Sequence, residues 1–91
     1  MIRIMYFSAP WCGPCTSFGP ILNSLVQNEL KGDVEVEKVD GEEKPEMVAK
    51  HSVKGFPTIV MFKDEKELGR HAGLTPKIRL LEIIKNAINQ G

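Results

Sequence analysis

The segment Trp11-Cys12-Gly13-Pro14-Cys15 holds the only two cysteines and the only tryptophan of the 91-residue chain, and it closes a short apolar run. Two thiols three positions apart can form a disulfide across one turn of helix, and a Gly-Pro insert fixes how that turn begins. The fold must therefore deliver an extended segment to a helix start at this point. As a staple the bridge would do little: in the chain-entropy picture a four-residue loop stabilises by about 2 kcal/mol, against ~4.7 for a hundred-residue loop. As half of a zinc site it lacks partners at close spacing. The two histidines, His51 and His71, are twenty positions apart and there is no second cysteine pair. The spacing points first to a pair that opens and closes, with a structural pair and a metal site as the lesser alternatives.

Size and charge narrow the setting. A chain of this length is expected to be one domain, residues 1–91, with one modest hydrophobic core. Twelve basic residues balance twelve acidic ones, so nothing global points to nucleic acid or a membrane surface, and specificity must come from a local surface. The apolar stretch Ile2 to Phe7, interrupted by Arg3, is too short for a signal-peptide core or a membrane span. The expectation is a cytoplasmic, monomeric protein. In a reducing cytosol a persistent disulfide is disfavoured, whereas Cys-X-X-Cys beside alternating strand and helix patterns suggests redox turnover.

Ile2 to Phe7 alternates and is β-rich, and Ser8-Ala9-Pro10 stops it just before the cysteines. Phe18, Ile21, Leu22, Leu25 and Val26 then recur at three- and four-residue intervals, predicting an amphipathic helix from about residue 13 to 31, ended by Lys31-Gly32. Pro20 removes one donor from this helix and predicts a kink near Thr16. Val34 to Val39 reads as a second strand, parallel to the first because a helix separates them. Pro45 to Lys50 predicts a short helix with Met47 and Val48 inward, after a polar loop from Gly41 to Lys44. Thr58 to Lys63 is nearly continuous apolar and β-branched, the pattern of a central strand. Asp64-Glu65-Lys66 turns into an antiparallel edge strand, Glu67 to His71. Thr75-Pro76 places a capping hydroxyl before a first-turn proline, and Leu80, Leu81, Ile84, Ala87 and Ile88 form a closing helix. The order β-α-β-α-β-β-α predicts an α/β fold, a mixed four-stranded sheet with three helices on its faces.

Only a thiolate attacks a disulfide, and a free cysteine with a pKa of ~8.5 is a few per cent ionised at neutral pH. If Cys12 caps the helix beginning at Gly13, its sulfur meets unpaired backbone N–H groups and the positive end of the helix dipole, which favour the anion. Cys15, one turn on, can resolve a mixed disulfide made by Cys12. A second element is Gly55-Phe56-Pro57-Thr58, where a proline introduces what reads as a central strand. A cis Phe56-Pro57 bond would reconcile the two, although an ordinary trans proline is the simpler local reading.

Taken together, Trp11-Cys12-Gly13-Pro14-Cys15, Pro20, Val53-Lys54-Gly55-Phe56-Pro57-Thr58 and Gly73 after the final hairpin resemble the thioredoxin family over nearly the whole chain. The resemblance implies that Pro57 is cis and lies against the cysteines. It implies a flat apolar patch of Trp11, Gly13, Pro14, Phe56, Pro57, Gly73 and Leu74 that receives a protein substrate, with the Phe56 backbone pairing an extended segment. It further implies reduction of protein disulfides, thioredoxin reductase as electron donor, and no bound cofactor or metal. Two departures stand out. The chain reaches Cys12 after only eleven residues, which implies a smaller, glutaredoxin-like layout. The buried aspartate that assists the family's resolving cysteine falls on Tyr6, a poor base with a pKa near ~10, so Cys15 is expected to lose its proton to water or to the departing thiolate. The lysine accompanying that aspartate falls near Val36, with Lys38 two residues off and unassigned.

His51 and His71 read as helix-surface and edge-strand residues, and the acidic stretch Asp33 to Glu46, seven of twelve carboxylates, as a solvated face. Two other functions compete. Glutathione-dependent, glutaredoxin-like chemistry suits the small layout, but Gly-Pro and Gly-Phe-Pro-Thr differ from the usual Cys-Pro-Tyr-Cys and Thr-Val-Pro. Nor does a Gly-Gly with paired aspartates follow Arg70. The other is a binding module that uses the apolar patch without turnover.

Overall fold

Ile2, Ile4 and Tyr6 on one side of the first strand, and Met5 and Phe7 on the other, are all buried, so this segment must lie inside a sheet covered on both faces. The computed structural model describes residues 1–91 and places it there. Its elements are β1 (Ile2–Ser8), α1 (Gly13–Gln27), β2 (Val34–Asp40), α2 (Pro45–Lys50), β3 (Thr58–Lys63), β4 (Lys66–Ala72) and α3 (Lys77–Gln90). The sheet order is β2-β1-β3-β4. β1 runs parallel to β2, with Ile2 opposite Val34 and Tyr6 opposite Lys38, and antiparallel to β3, with Tyr6 opposite Ile59. The predicted architecture, its strand directions and the inner position of Thr58–Lys63 all hold.

α1 and α3 cover one face. Phe18, Leu22 and Leu25 from α1 and Leu80 and Ile84 from α3 are fully buried there against Ile4, Ile59 and Met61. Each such side chain removed from water contributes about 1.5–3 kcal/mol, which makes this face the main source of stability. The short helix α2 covers the other face, where Met47 and Val48 pack against Met5, Phe7, Val39, Val60 and Phe62.

Three expectations need correction. α1 ends at Gln27 rather than residue 31. The Asn28 backbone and side-chain N–H groups both donate to the Ser24 carbonyl, at 3.1 and 2.9 Å, and Leu30 N–H bonds Leu25 O, turning the fully buried Leu30 into the core. Gly32, at φ +86°, then reverses the chain toward β2, so its role is in the turn after the helix. Thr75 does not cap α3: Pro76, with ψ 150°, is the flanking residue, and the helix begins at Lys77. His51 is not simply a helix-surface residue. It ends α2, with its ring 5.9 Å from Phe7 and 5.7 Å from Phe62, and burial together with Lys50, Arg70 and Arg3 lowers its pKa.

The edge strand β4 is one residue longer at each end than expected, because Lys66 already pairs with Lys63 and Ala72 with Thr58. Its register slips between Met61 and Phe62, and the extra residue, Leu68, packs onto the core under α1 and α3. A bulge of this kind twists an edge and discourages pairing with another strand.

Candidate active site

Ser8 is the last residue of β1, and Ala9 to Trp11 carry the chain to Cys12, the N-cap of α1. Cys12 has an extended backbone (φ −83°, ψ 107°), and its Sγ accepts the Cys15 N–H at 3.2 Å. The sulfur therefore occupies the place usually taken by a serine or aspartate oxygen, where orphan N–H groups and the helix dipole favour negative charge. Pro14 in the first turn takes nothing from the helix, since its missing donor would be unpaired there anyway. Cys12 and Cys15 are disulfide-bonded with Cα atoms 5.3 Å apart, and both are buried.

Around the pair lies a small cluster of Ala9, Cys12 and Cys15, with Phe56 packed against it. The Phe56-Pro57 bond is cis, as the resemblance implies and against the simpler local reading. Thr58 Oγ1 donates to Gly55 O at 2.7 Å, and Gly73 N–H donates to Pro57 O at 2.9 Å, so the loop is held from both sides. Gly73 itself sits at φ +94°, a conformation other residues adopt only under strain. The Phe56 N–H and C=O make no hydrogen bond within the chain. Trp11 is 68 % exposed and Leu74 54 %, and the Trp11 ring meets the Phe56 ring edge-on at 5.7 Å. Gly13 and Pro14 are exposed beside Cys12, whereas Pro57 is buried. The structure thus gathers Trp11, Phe56 and the cysteines and ties Gly73 to the Pro57 loop, with Leu74 next in the chain.

Gly41, in the loop expected after β2, has a role that no motif in the sequence marks. A Cβ at this position would overlap the Phe56 ring and lie 3.2 Å from Val48 Cγ2, so only glycine lets that ring lie where it does. Gly41 directly follows β2, and its N–H donates to Ser8 O at 2.8 Å.

Tyr6 lies beneath α1, buried, with its ring 5.5 Å from Phe18 and its hydroxyl 3.5 Å from the Cys15 carbonyl. Burial raises its pKa, and a hydrogen bond with Ser8 only partly offsets this. It is a neutral hydroxyl at working pH. Beside it opens a cleft of about 360 Å³ between α1 and the ends of β1 and β2, which Cys12 and Cys15 both line.

Comparison with known proteins agrees with this geometry. The thioredoxin family model matches residues 2–86. Thioredoxin of Staphylococcus aureus is 34 % identical over 83 residues, covering 91 % of this chain and 79 % of that one. The X-ray structure of Fasciola hepatica thioredoxin superposes with a TM-score of 0.85 at 37 % identity, covering 94 % of this chain and 80 % of that one. A single-site mutant of a thioredoxin from Halobacterium salinarum gives 0.84 at 29 % identity, covering 96 % and 74 %. A structure described as a malarial protein gives 0.85 at 28 % identity, covering 96 % and 97 %. With a helix-capping Cys12 bonded to Cys15 in this frame, the chain belongs to the thioredoxin family and is a dithiol-disulfide oxidoreductase that reduces protein disulfides.

Proposed function

We propose that Cys12 is the attacking thiolate and Cys15 the resolving thiol. The observation that carries this is the Cys12 sulfur at the helix N-cap, accepting the Cys15 N–H. In the reduced protein the Cys12 thiolate attacks one sulfur of a substrate disulfide, and the other sulfur leaves as a thiolate. Cys15 then attacks Cys12, releasing the first substrate sulfur and leaving the bond between Cys12 and Cys15. Substrate docks on Trp11, Gly13, Pro14, Phe56, Pro57, Gly73 and Leu74, with an extended segment pairing the free N–H and C=O of Phe56.

The reading extends to a single domain over residues 1–91, acting as a monomer in the cytoplasm and recharged by thioredoxin reductase. No helix is long and apolar enough to cross a membrane. Reduction of a model protein disulfide tests the reading, driven in parallel by NADPH with thioredoxin reductase and by glutathione with glutathione reductase. Turnover with the first system is expected. Turnover with the second alone would overturn the choice of reductant in favour of glutaredoxin-like use. No turnover with either, combined with tight partner binding by the Cys12→Ser,Cys15→Ser protein, would make the chain a binding module.

A further inference from the structure

Resolution of a mixed disulfide needs Cys15 as thiolate, so its proton must go somewhere. On β1, Tyr6 places its hydroxyl 3.5 Å from the Cys15 carbonyl, but burial keeps it neutral more firmly than a free tyrosine, so it is no proton acceptor. The cleft beside it offers another route. Its walls are Tyr6, Ser8, Lys38 and Asp40 from the strands and Thr16, Gly19, Pro20 and Asn23 from α1, and Cys12 and Cys15 line it as well. The parallel register explains the grouping: Lys38 stands opposite Tyr6 and Asp40 opposite Ser8, on the face that α1 covers. Lys38 and Asp40 are the only charged groups lining the cleft, and α1 contributes none. A space of about 360 Å³ edged by hydroxyl and amide groups is polar and large enough for water.

We propose that this cleft is the proton exit for Cys15, with the Asp40 carboxylate as acceptor through water and the Lys38 ammonium favouring the thiolate. The proposal rests on Cys15 being the resolving thiol. The Cys15 S–H proton passes through water to Asp40. The Cys15 thiolate attacks Cys12 Sγ, and the bond from Cys12 to the substrate breaks with its electron pair on the substrate sulfur. Asp40 then returns the proton to solvent, so no further oxidant or reductant is involved. Lys38 and Asp40 are positioning residues that act through the cleft.

Asp40→Asn is a clean probe, because the amide oxygen can still accept from Glu42 N–H and Glu43 N–H, which Asp40 Oδ1 holds at 2.9 and 3.4 Å. The experiment follows release of substrate thiol from a preformed Cys12 mixed disulfide, in a single turnover from pH 5 to 10. It is run alongside alkylation of Cys12 by iodoacetamide. Asp40→Asn is expected to slow release about three- to tenfold at pH 6–7 and to move the profile to higher pH, with Cys12 alkylation unchanged. Asp40→Glu should recover most of the rate, and Lys38→Met should move the profile the same way while Lys38→Arg restores it. An Asp40→Asn profile that overlays the wild type would overturn the proposal. So would a uniform loss across all pH values with a lowered unfolding midpoint, since that marks a structural role in the turn. If instead Cys15→Ser still released substrate, the assignment of Cys15 as resolver would fail, which is a separate result.

Discussion

The two ends of β1 are built differently. At the start, Ile2 and Ile4 lie in an apolar core with Leu25, Leu30, Val34 and Ile84, and that core carries most of the burial. At the finish, the Tyr6 ring still packs in that core against Phe18, but Tyr6 and Ser8 also line a polar cleft, and the cysteines share only a small cluster with Ala9 and the Phe56 ring. Stability is thus concentrated away from the chemistry. The disulfide can open and close at the end of the strand with few apolar contacts at stake, while α1, anchored through Phe18, Leu22 and Leu25, holds the N-cap in place. What keeps the active end in shape is specific geometry: a capping sulfur, the Gly73 N–H bond to Pro57 O and a glycine at φ +94°.

This contrast can be broken from either side. Leu22→Ala removes a fully buried side chain from the α1 face and is expected to lower unfolding free energy by about 2–5 kcal/mol. Denaturant titration of the reduced and oxidised proteins should show the same loss in both. A loss much larger in one redox state would mean that core and disulfide are coupled. Gly41→Ala acts at the other end, where the new methyl group meets the Phe56 ring, and overpacking of this kind costs about 1–3 kcal/mol. Its clearer signature is kinetic: KM for a protein disulfide should rise severalfold while the reaction with a small aromatic disulfide, which needs no docking patch, stays near wild type. Equal effects on both substrates would show that Gly41 serves folding only.

The smallest expected effect is on pH. Burial raises the Tyr6 pKa above its unfolded value of ~10, so ionisation costs stability in the fold. The contribution is fully present below pH ~10 and is lost as pH rises through the folded value. Urea midpoints compared between pH 8 and 11 should therefore fall less for Tyr6→Phe than for wild type. Parallel curves would place Tyr6 in water.

Which features the sequence revealed follows the same division. The buried strand Thr58–Lys63 and the amphipathic face of α1 were legible because burial imposes a period on side chains. The N-cap role of Cys12 followed from its position before Gly13-Pro14. The end of α1 was not legible, because Lys31-Gly32 looks like a stop while the backbone already leaves the helix at Asn28 (φ −116°, ψ −87°) and Leu30 N–H bonds Leu25 O, five residues back. The cis bond before Pro57 was visible only through family resemblance, since local preference favours trans. The cleft and the contact of Gly41 with Phe56 join residues far apart in the chain, so no local pattern marks them.

Covalent trapping separates the attacking role of Cys12 from the resolving role of Cys15. Reduced Cys15→Ser and Cys12→Ser proteins are mixed with a disulfide-bonded protein substrate and analysed by intact mass spectrometry without reductant. Attack by Cys12 followed by resolution by Cys15 requires a stable one-to-one adduct with Cys15→Ser and essentially none with Cys12→Ser at neutral pH. Adduct formation by Cys12→Ser at an equal or faster rate would contradict it.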